Sequence, residues 1–207
     1  MKNKKAYIFD FDGTLVQSVK LMFDCVNALA DEYKIKKMDM TRFDYYRGLG
    51  TAGLLNELGL NKEVLPEFIA KMQNLMQEKF GQVELYPNVS NVLTDLKKQG
   101  IFIGIVTTNK KENVINILEK NKINFFNSIM TDVAFSEKPN AIKQMVLENN
   151  LDLVNTYYVG DETRDIEAAK VAGVKSIAVT YGMNTKEVLH KSEPESIADV
   201  FDIVFER

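Results

Sequence analysis

The sequence predicts an α/β fold: a doubly wound parallel sheet with an all-helical segment inserted after its first strand. Two observations carry this. From residue 87 onward, short apolar runs alternate with helical patterns, and such alternation implies parallel strands joined by crossover helices. From residue 17 to about 84 the rhythm breaks, and apolar residues recur only at helical spacing. A length of 207 residues suits one domain of moderate size, or a domain with a smaller insertion.

Each element follows from its residues. Ala6-Tyr7-Ile8-Phe9 reads as a buried strand ended by the turn Asp10-Phe11-Asp12-Gly13. Val19, Met22, Phe23, Val26, Leu29, Ala30 and Tyr33 share one helix face, as do Leu65, Phe68, Ile69, Met72, Leu75 and Met76. Tyr86-Pro87 marks the return to the sheet. Val89, Val92, Leu93 and Leu96 define the next helix, with Gly100 at its end. Four further strands are expected. They are residues 101–106, ending at Thr107-Thr108-Asn109; 128–130; 156–159, ending at Gly160-Asp161; and 176–179, ending at Thr180-Tyr181-Gly182. Val114, Ile115 and Leu118, then Ala141, Ile142, Met145 and Val146, then Ile166, Ala169 and Val171 mark the helices between them. Asp202-Ile203-Val204-Phe205 is a last strand candidate. Glu193-Pro194-Glu195-Ser196 reads as a surface connection before a short final helix. Residues 1–16 and 85–207 would form a Rossmann-like core, and residues 17–84 the helical insertion.

Composition narrows the function. With 45% hydrophobic and 27% charged residues, the balance is that of a soluble globular protein. A net charge of −3 and a pI near 5.4 argue against a duplex nucleic-acid binder. They still allow a small anionic substrate held in a local basic pocket. One cysteine, Cys25, excludes an intramolecular disulfide and a cysteine-built zinc site, and reads as a small buried hydrophobe. One histidine, His190, excludes a multi-histidine metal cluster and reads as structural or exposed. No apolar run approaches the roughly 20 residues that span a bilayer. The basic start meets Asp10 before any adequate apolar stretch, so it is not a signal peptide, and a cytoplasmic protein is expected.

The chemistry concentrates at the strand ends. Asp10 and Asp12 place two carboxylates at the end of a buried strand, followed by a turn-permitting glycine. Open α/β sheets hold ligands at the carboxyl ends of their strands. A doubly wound sheet would bring Thr107, Lys138 (in Ser136-Glu137-Lys138-Pro139), Asp161 and Asp165 to that same edge.

These residues make the chain resemble the haloacid dehalogenase (HAD) superfamily, over its whole length and in order. DFDGTL resembles the first motif, IVTTNK the second, the lysine of EKPN the third and VGDETRD the fourth. A helical cap between the first two motifs resembles subclass I, of the phosphoglycolate-phosphatase-like kind. The resemblance implies a Mg²⁺-dependent phosphatase. A phosphoryl group resists attack because its oxygens are negative, so such a site needs a nucleophile, a cation and donors for the equatorial oxygens. Asp10 would be the nucleophile, forming an aspartyl-phosphate. Asp12 would act as general acid and base. Asp10, Asp161 and the backbone carbonyl of Asp12 would hold the metal, with Asp165 as ligand or outer partner. Lys138 would offset negative charge. Thr107 would hold phosphoryl oxygens together with nearby backbone N–H groups. Gly13, Thr108 and Asn109 are further candidate substrate contacts. Thr107 and Thr108 are adjacent, and Thr107 is preferred because it directly follows the apolar run.

Asp12 favours phosphate esters over haloacids, since the true dehalogenases protonate no alkoxide and lack this acid. Among the insertion's lysines (Lys20, Lys34, Lys36, Lys37, Lys62, Lys71 and Lys79) nothing marks one as a buried Schiff-base former. Arg47 is a candidate substrate contact from the cap, set against an ordinary helix-end arginine. Lys110 is weighed in the same way against a solvated residue. Gly48, Gly50 and Gly53 form a formal GxGxxG, but no strand pattern precedes them. They are read as a flexible loop between helices, not a dinucleotide site. Met72 and Met76 read as packing residues. The expected partner is a small phosphorylated metabolite, with no nucleic acid or membrane, for a monomer or weak homodimer. Pyrophosphate, a nucleotide or a sugar phosphate are alternative substrates. A phosphomutase or a non-catalytic binding module are readings of another class.

Overall fold

The computed structural model describes residues 5–61 and 63–201. Six parallel strands form one sheet in the order β3-β2-β1-β4-β5-β6. They are β1 (Ala6–Phe9), β2 (Phe102–Val106), β3 (Ser128–Met130), β4 (Thr156–Gly160), β5 (Lys175–Val179) and β6 (Ser196–Ala198). The first strand is thus central: Ala6 pairs with Phe102 on one side and Thr156 on the other.

Both faces of the sheet are covered, which is why its strands read as continuous apolar runs and not as alternating ones. On one face Tyr7, Phe9, Ile103 and Ile105 pack against α5 (Val89–Lys98) and α6 (Lys111–Lys120). On the other, Ile8, Val106 and Tyr158 pack against α7 (Lys138–Glu148) and α8 (Thr163–Ala172). A short helix α9 (Lys186–His190) precedes β6.

Between β1 and α5 every named element is helical: α1 (Ser18–Tyr33), α2 (Phe43–Arg47), α3 (Gly50–Leu58) and α4 (Leu65–Lys79), with 3₁₀ turns. Val19, Phe23, Val26, Leu29, Tyr46, Leu54, Leu58 and Phe68 form a second apolar cluster of their own. Met72 packs against it, and Cys25 is fully buried. The outgoing and returning chains are tied together, Gln17 N–H to Glu84 O at 2.8 Å and Tyr86 N–H to Leu15 O at 3.0 Å.

Three expectations are corrected. Gly50 and Gly53 lie within α3, not in a loop, and the turn-and-helix segment before them leaves no strand for a dinucleotide fingerprint. Residues 196–198 form the edge strand β6 where a helix was expected, because Ile197 and Ala198 add apolar cover beside β5. The candidate strand at residues 202–205 lies outside the described residues.

Candidate active site

The carboxyl ends of β1, β2, β4 and β5 converge with the start of α7. Asp10 follows β1. Its Oδ1 accepts the Phe11 N–H at 2.8 Å, and its Oδ2 accepts from Lys138 Nζ at 2.9 Å. Lys138, the first residue of α7 and 2% exposed, also donates to Asp165 Oδ1 at 2.7 Å. Asp165 is held in turn by the Glu162 N–H, through a capping box that opens α8.

Asp161 follows β4 and is 1% exposed. The Thr14 hydroxyl donates to its Oδ1 at 3.0 Å, and the Met183 N–H to its Oδ2 at 2.6 Å. The surrounding backbone fits closely. Gly13 has φ +69°, and a Cβ there would lie 2.0 Å from Asp161 Oδ2. A Cβ on Gly182 would lie 2.2 Å from Asp161 Cβ. Only glycine fits either place.

Asp12 turns its side chain to the segment after β2. The Asn109 side-chain amide donates to its Oδ2 at 2.8 Å, while Oδ1 is buried with no hydrogen-bond partner. Asn109 was expected among substrate contacts, and the structure sets its side chain on Asp12. Thr107 is fully buried at the end of β2, and its Oγ1 accepts the Asn109 N–H at 3.1 Å. Thr108 beside it is only half-buried.

The charges are unbalanced. Burial pushes Asp10 up to about 7, although Lys138 pulls the other way. Burial also raises Asp12, against the hydrogen bond from Asn109. Asp161 is driven well above the carboxylate range, first by burial and then by Glu162, Asp165 and Asp10. Burial opposes the charge on Lys138, but Asp10 and Asp165 outweigh it and hold the ammonium well above its usual range. One buried lysine among these acids leaves negative charge uncompensated. A divalent cation would relieve it. The donor set fits one: Asp10, Asp161 and Asp165 each offer an oxygen within 4.8 Å of the others, and hard oxygens suit Mg²⁺.

Two candidate cations lie outside this centre. Arg47 is 9% exposed, and its guanidinium is spent on protein groups: the Gly182 and Thr180 carbonyls and the Asp44 carboxylate. At the end of α2, against the loop after β5, each of its three nitrogens donates to a protein group. Lys110 is exposed and bonds Gln77 of α4. His190 is exposed on α9.

Sequence reasoning missed Thr14, Met183 and Asn109 as the groups that hold the acids. Thr14 stands inside DFDGTL and was findable. Met183 acts through its backbone N–H and leaves no side-chain signal.

The arrangement has known counterparts. The family model described as haloacid dehalogenase-like hydrolase matches residues 7–179. The phosphoglycolate phosphatase of Vibrio cholerae is 30% identical, with 96% of this chain and 94% of that protein covered. That of Synechococcus elongatus is 28% identical, over 92% and 91%. A haloacid dehalogenase-like family protein of Streptococcus pneumoniae superposes with a TM-score of 0.80 at 21% identity, covering 99% and 98% of the two chains. The match spans the sheet from β1 to β5 and every acid of the convergent edge. The chain therefore belongs to the haloacid dehalogenase-like hydrolase family.

Proposed function

We propose that this hydrolase is a Mg²⁺-dependent phosphatase acting on a small phosphomonoester of the phosphoglycolate type. One observation carries the reading: Asp10 sits buried at the end of the central strand, bridged by Lys138 to Asp165 and grouped with Asp161. The phosphoglycolate phosphatases among the relatives support the substrate class.

In this reading Asp10, Asp161, Asp165 and the Asp12 carbonyl hold the cation, which when bound neutralises phosphoryl charge. Asp10 attacks phosphorus through a carboxylate oxygen, and the ester oxygen leaves with its electron pair. Asp12, raised by burial and kept on one side by Asn109, gives its proton to that leaving oxygen. The aspartyl-phosphate is then hydrolysed by a water whose proton returns to Asp12. Lys138 offsets the charge of Asp10 and the phosphoryl group, and Thr107 with the N–H groups beyond Asp10 and Thr107 meets the phosphoryl oxygens. Residues 17–84 act as a cap that excludes water during the first step. The cytoplasm is the expected setting, and among the described residues no helix is long and apolar enough to cross a membrane.

The test is phosphate release from phosphoglycolate, pyrophosphate, nucleoside monophosphates, sugar phosphates and an aryl phosphate, with Mg²⁺ or EDTA. Release from phosphoglycolate that needs Mg²⁺ and falls to background in Asp10→Asn is expected. Preference for another compound overturns the substrate. Phosphate kept on a rearranged sugar would identify a mutase instead.

A further inference from the structure

Arg47 does more than fill space at the end of α2. Its Nε–H donates to the Gly182 carbonyl at 2.6 Å. That carbonyl belongs to the same peptide group as the Met183 N–H, which donates to Asp161 Oδ2 at 2.6 Å. One planar peptide thus stands between a cation of the helical insertion and a carboxylate of the acidic centre. A peptide whose oxygen accepts from a guanidinium presents a more positive N–H, because hydrogen bonds in a chain polarise one another. Two further contacts clamp the same strap. Arg47 also holds the Thr180 carbonyl, and the Met183 side chain, 7% exposed, is buried in the apolar cluster of Val19, Phe23 and Tyr46. Gly182 has no room to swing toward Asp161, since a Cβ there would already overlap it.

We propose that Arg47 is a positioning residue: through the Gly182–Met183 peptide it orients Asp161 for the divalent cation, so that metal affinity depends on how α2 is seated. This rests on reading Asp161 as a metal ligand. Linkage makes the effect reciprocal, and bound cation tightens the seat of α2 by the same factor.

Mg²⁺ binding to the full chain, measured by calorimetry, tests this together with the amide-proton shift of Met183. Arg47→Met is expected to weaken Mg²⁺ about tenfold, as loss of an outer-shell partner does, and to move the Met183 amide upfield. Arg47→Lys keeps the charge but lacks the planar fork, and should fall between, about threefold weaker. Asp44→Asn removes only the exposed partner and should stay within about twofold of wild type. If Arg47→Met does not fold, Arg47→Lys decides by the same two readouts. Unchanged affinity in the Arg47 variants overturns the proposal, and so does weakened affinity without an amide shift, which would assign Arg47 to packing alone. Absence of Mg²⁺ binding in wild type, or wild-type affinity in Asp161→Asn, overturns the metal reading itself. Loss in Asp161→Asn beside intact Arg47 variants overturns only the relay.

Discussion

At the scale of single residues, the site is a set of acids each held by a group with no chemistry of its own. Asn109 fixes one oxygen of Asp12 and leaves the other without a partner. A hydrogen bond to a charged group contributes about 1.5–3 kcal/mol. Asn109→Ala should therefore lower kcat by roughly 10- to 100-fold with little change in KM, as steady-state kinetics would show. Wild-type kcat in that variant would mean that Asp12 needs no such support. Lys138 stands between Asp10 and Asp165 at 3% side-chain exposure. Its removal strands buried carboxylates, so Lys138→Met should cost about 3–5 kcal/mol in urea unfolding with EDTA present. The acids and the lysine were legible because they lie in short motifs at strand ends. Their holders were less so. Arg47 grips backbone carbonyls, and a backbone carbonyl has no residue identity to read.

At the scale of elements, burial on both faces made the central strands plain. Ile8 and Phe9 of β1 are fully buried, and so are Ile103, Ile105 and Val106 of β2. The edge strand β6 has three residues and an exposed first position, too short and too polar to stand out from a loop. The glycines at residues 48–53 read as a flexible loop because glycine is a poor helix former, yet two of them lie in α3. Tyr7 offers a test of β1. Burial, reinforced by the neighbouring Tyr157, pushes its hydroxyl up to about 12 from a usual value of 10.0. An acid whose folded value is raised keeps its proton in the native state while the unfolded chain loses it. Stability is therefore undiminished below pH 10 and is lost as pH rises toward 12. Tyr7→Phe should lose less stability than wild type as pH rises through that window. Parallel stability curves for the two proteins from pH 9 to 12 would refute the assignment.

At the scale of the whole molecule, the insertion has an apolar cluster of its own, separate from those on the two faces of the sheet. Met183 ties it to the acidic centre: its side chain is in the insertion's cluster, and its N–H is on Asp161. A cation bound only by the native fold stabilises it by about 2.7 kcal/mol at a hundredfold excess over Kd. Mg²⁺ should raise the urea midpoint of the whole chain accordingly, and Asp161→Asn should erase the gain. A midpoint indifferent to Mg²⁺ in wild type would count against a cation at this centre. The sheet and its helical insertion were legible in the sequence, since alternation and its interruption are long-range patterns. The contact of Arg47 with the loop after β5 was not, because it depends on which loop touches which helix.

The central place of β1 also has a bearing on time. β1, which leads into Asp10, precedes both of its neighbours in the chain, Phe102–Val106 and Thr156–Gly160. Until those segments emerge, Ala6–Phe9 can pair with neither neighbour and leaves a row of apolar side chains uncovered. Sheets that close through distant pairings fold slowly and expose unpaired strands while they do so. The helices that follow β1 pack against one another within residues 18–79, so their contacts do not wait for β2 or β4. The acidic centre is complete only later still, once β4 has delivered Asp161 and the segment after β5 has brought the Met183 N–H to it.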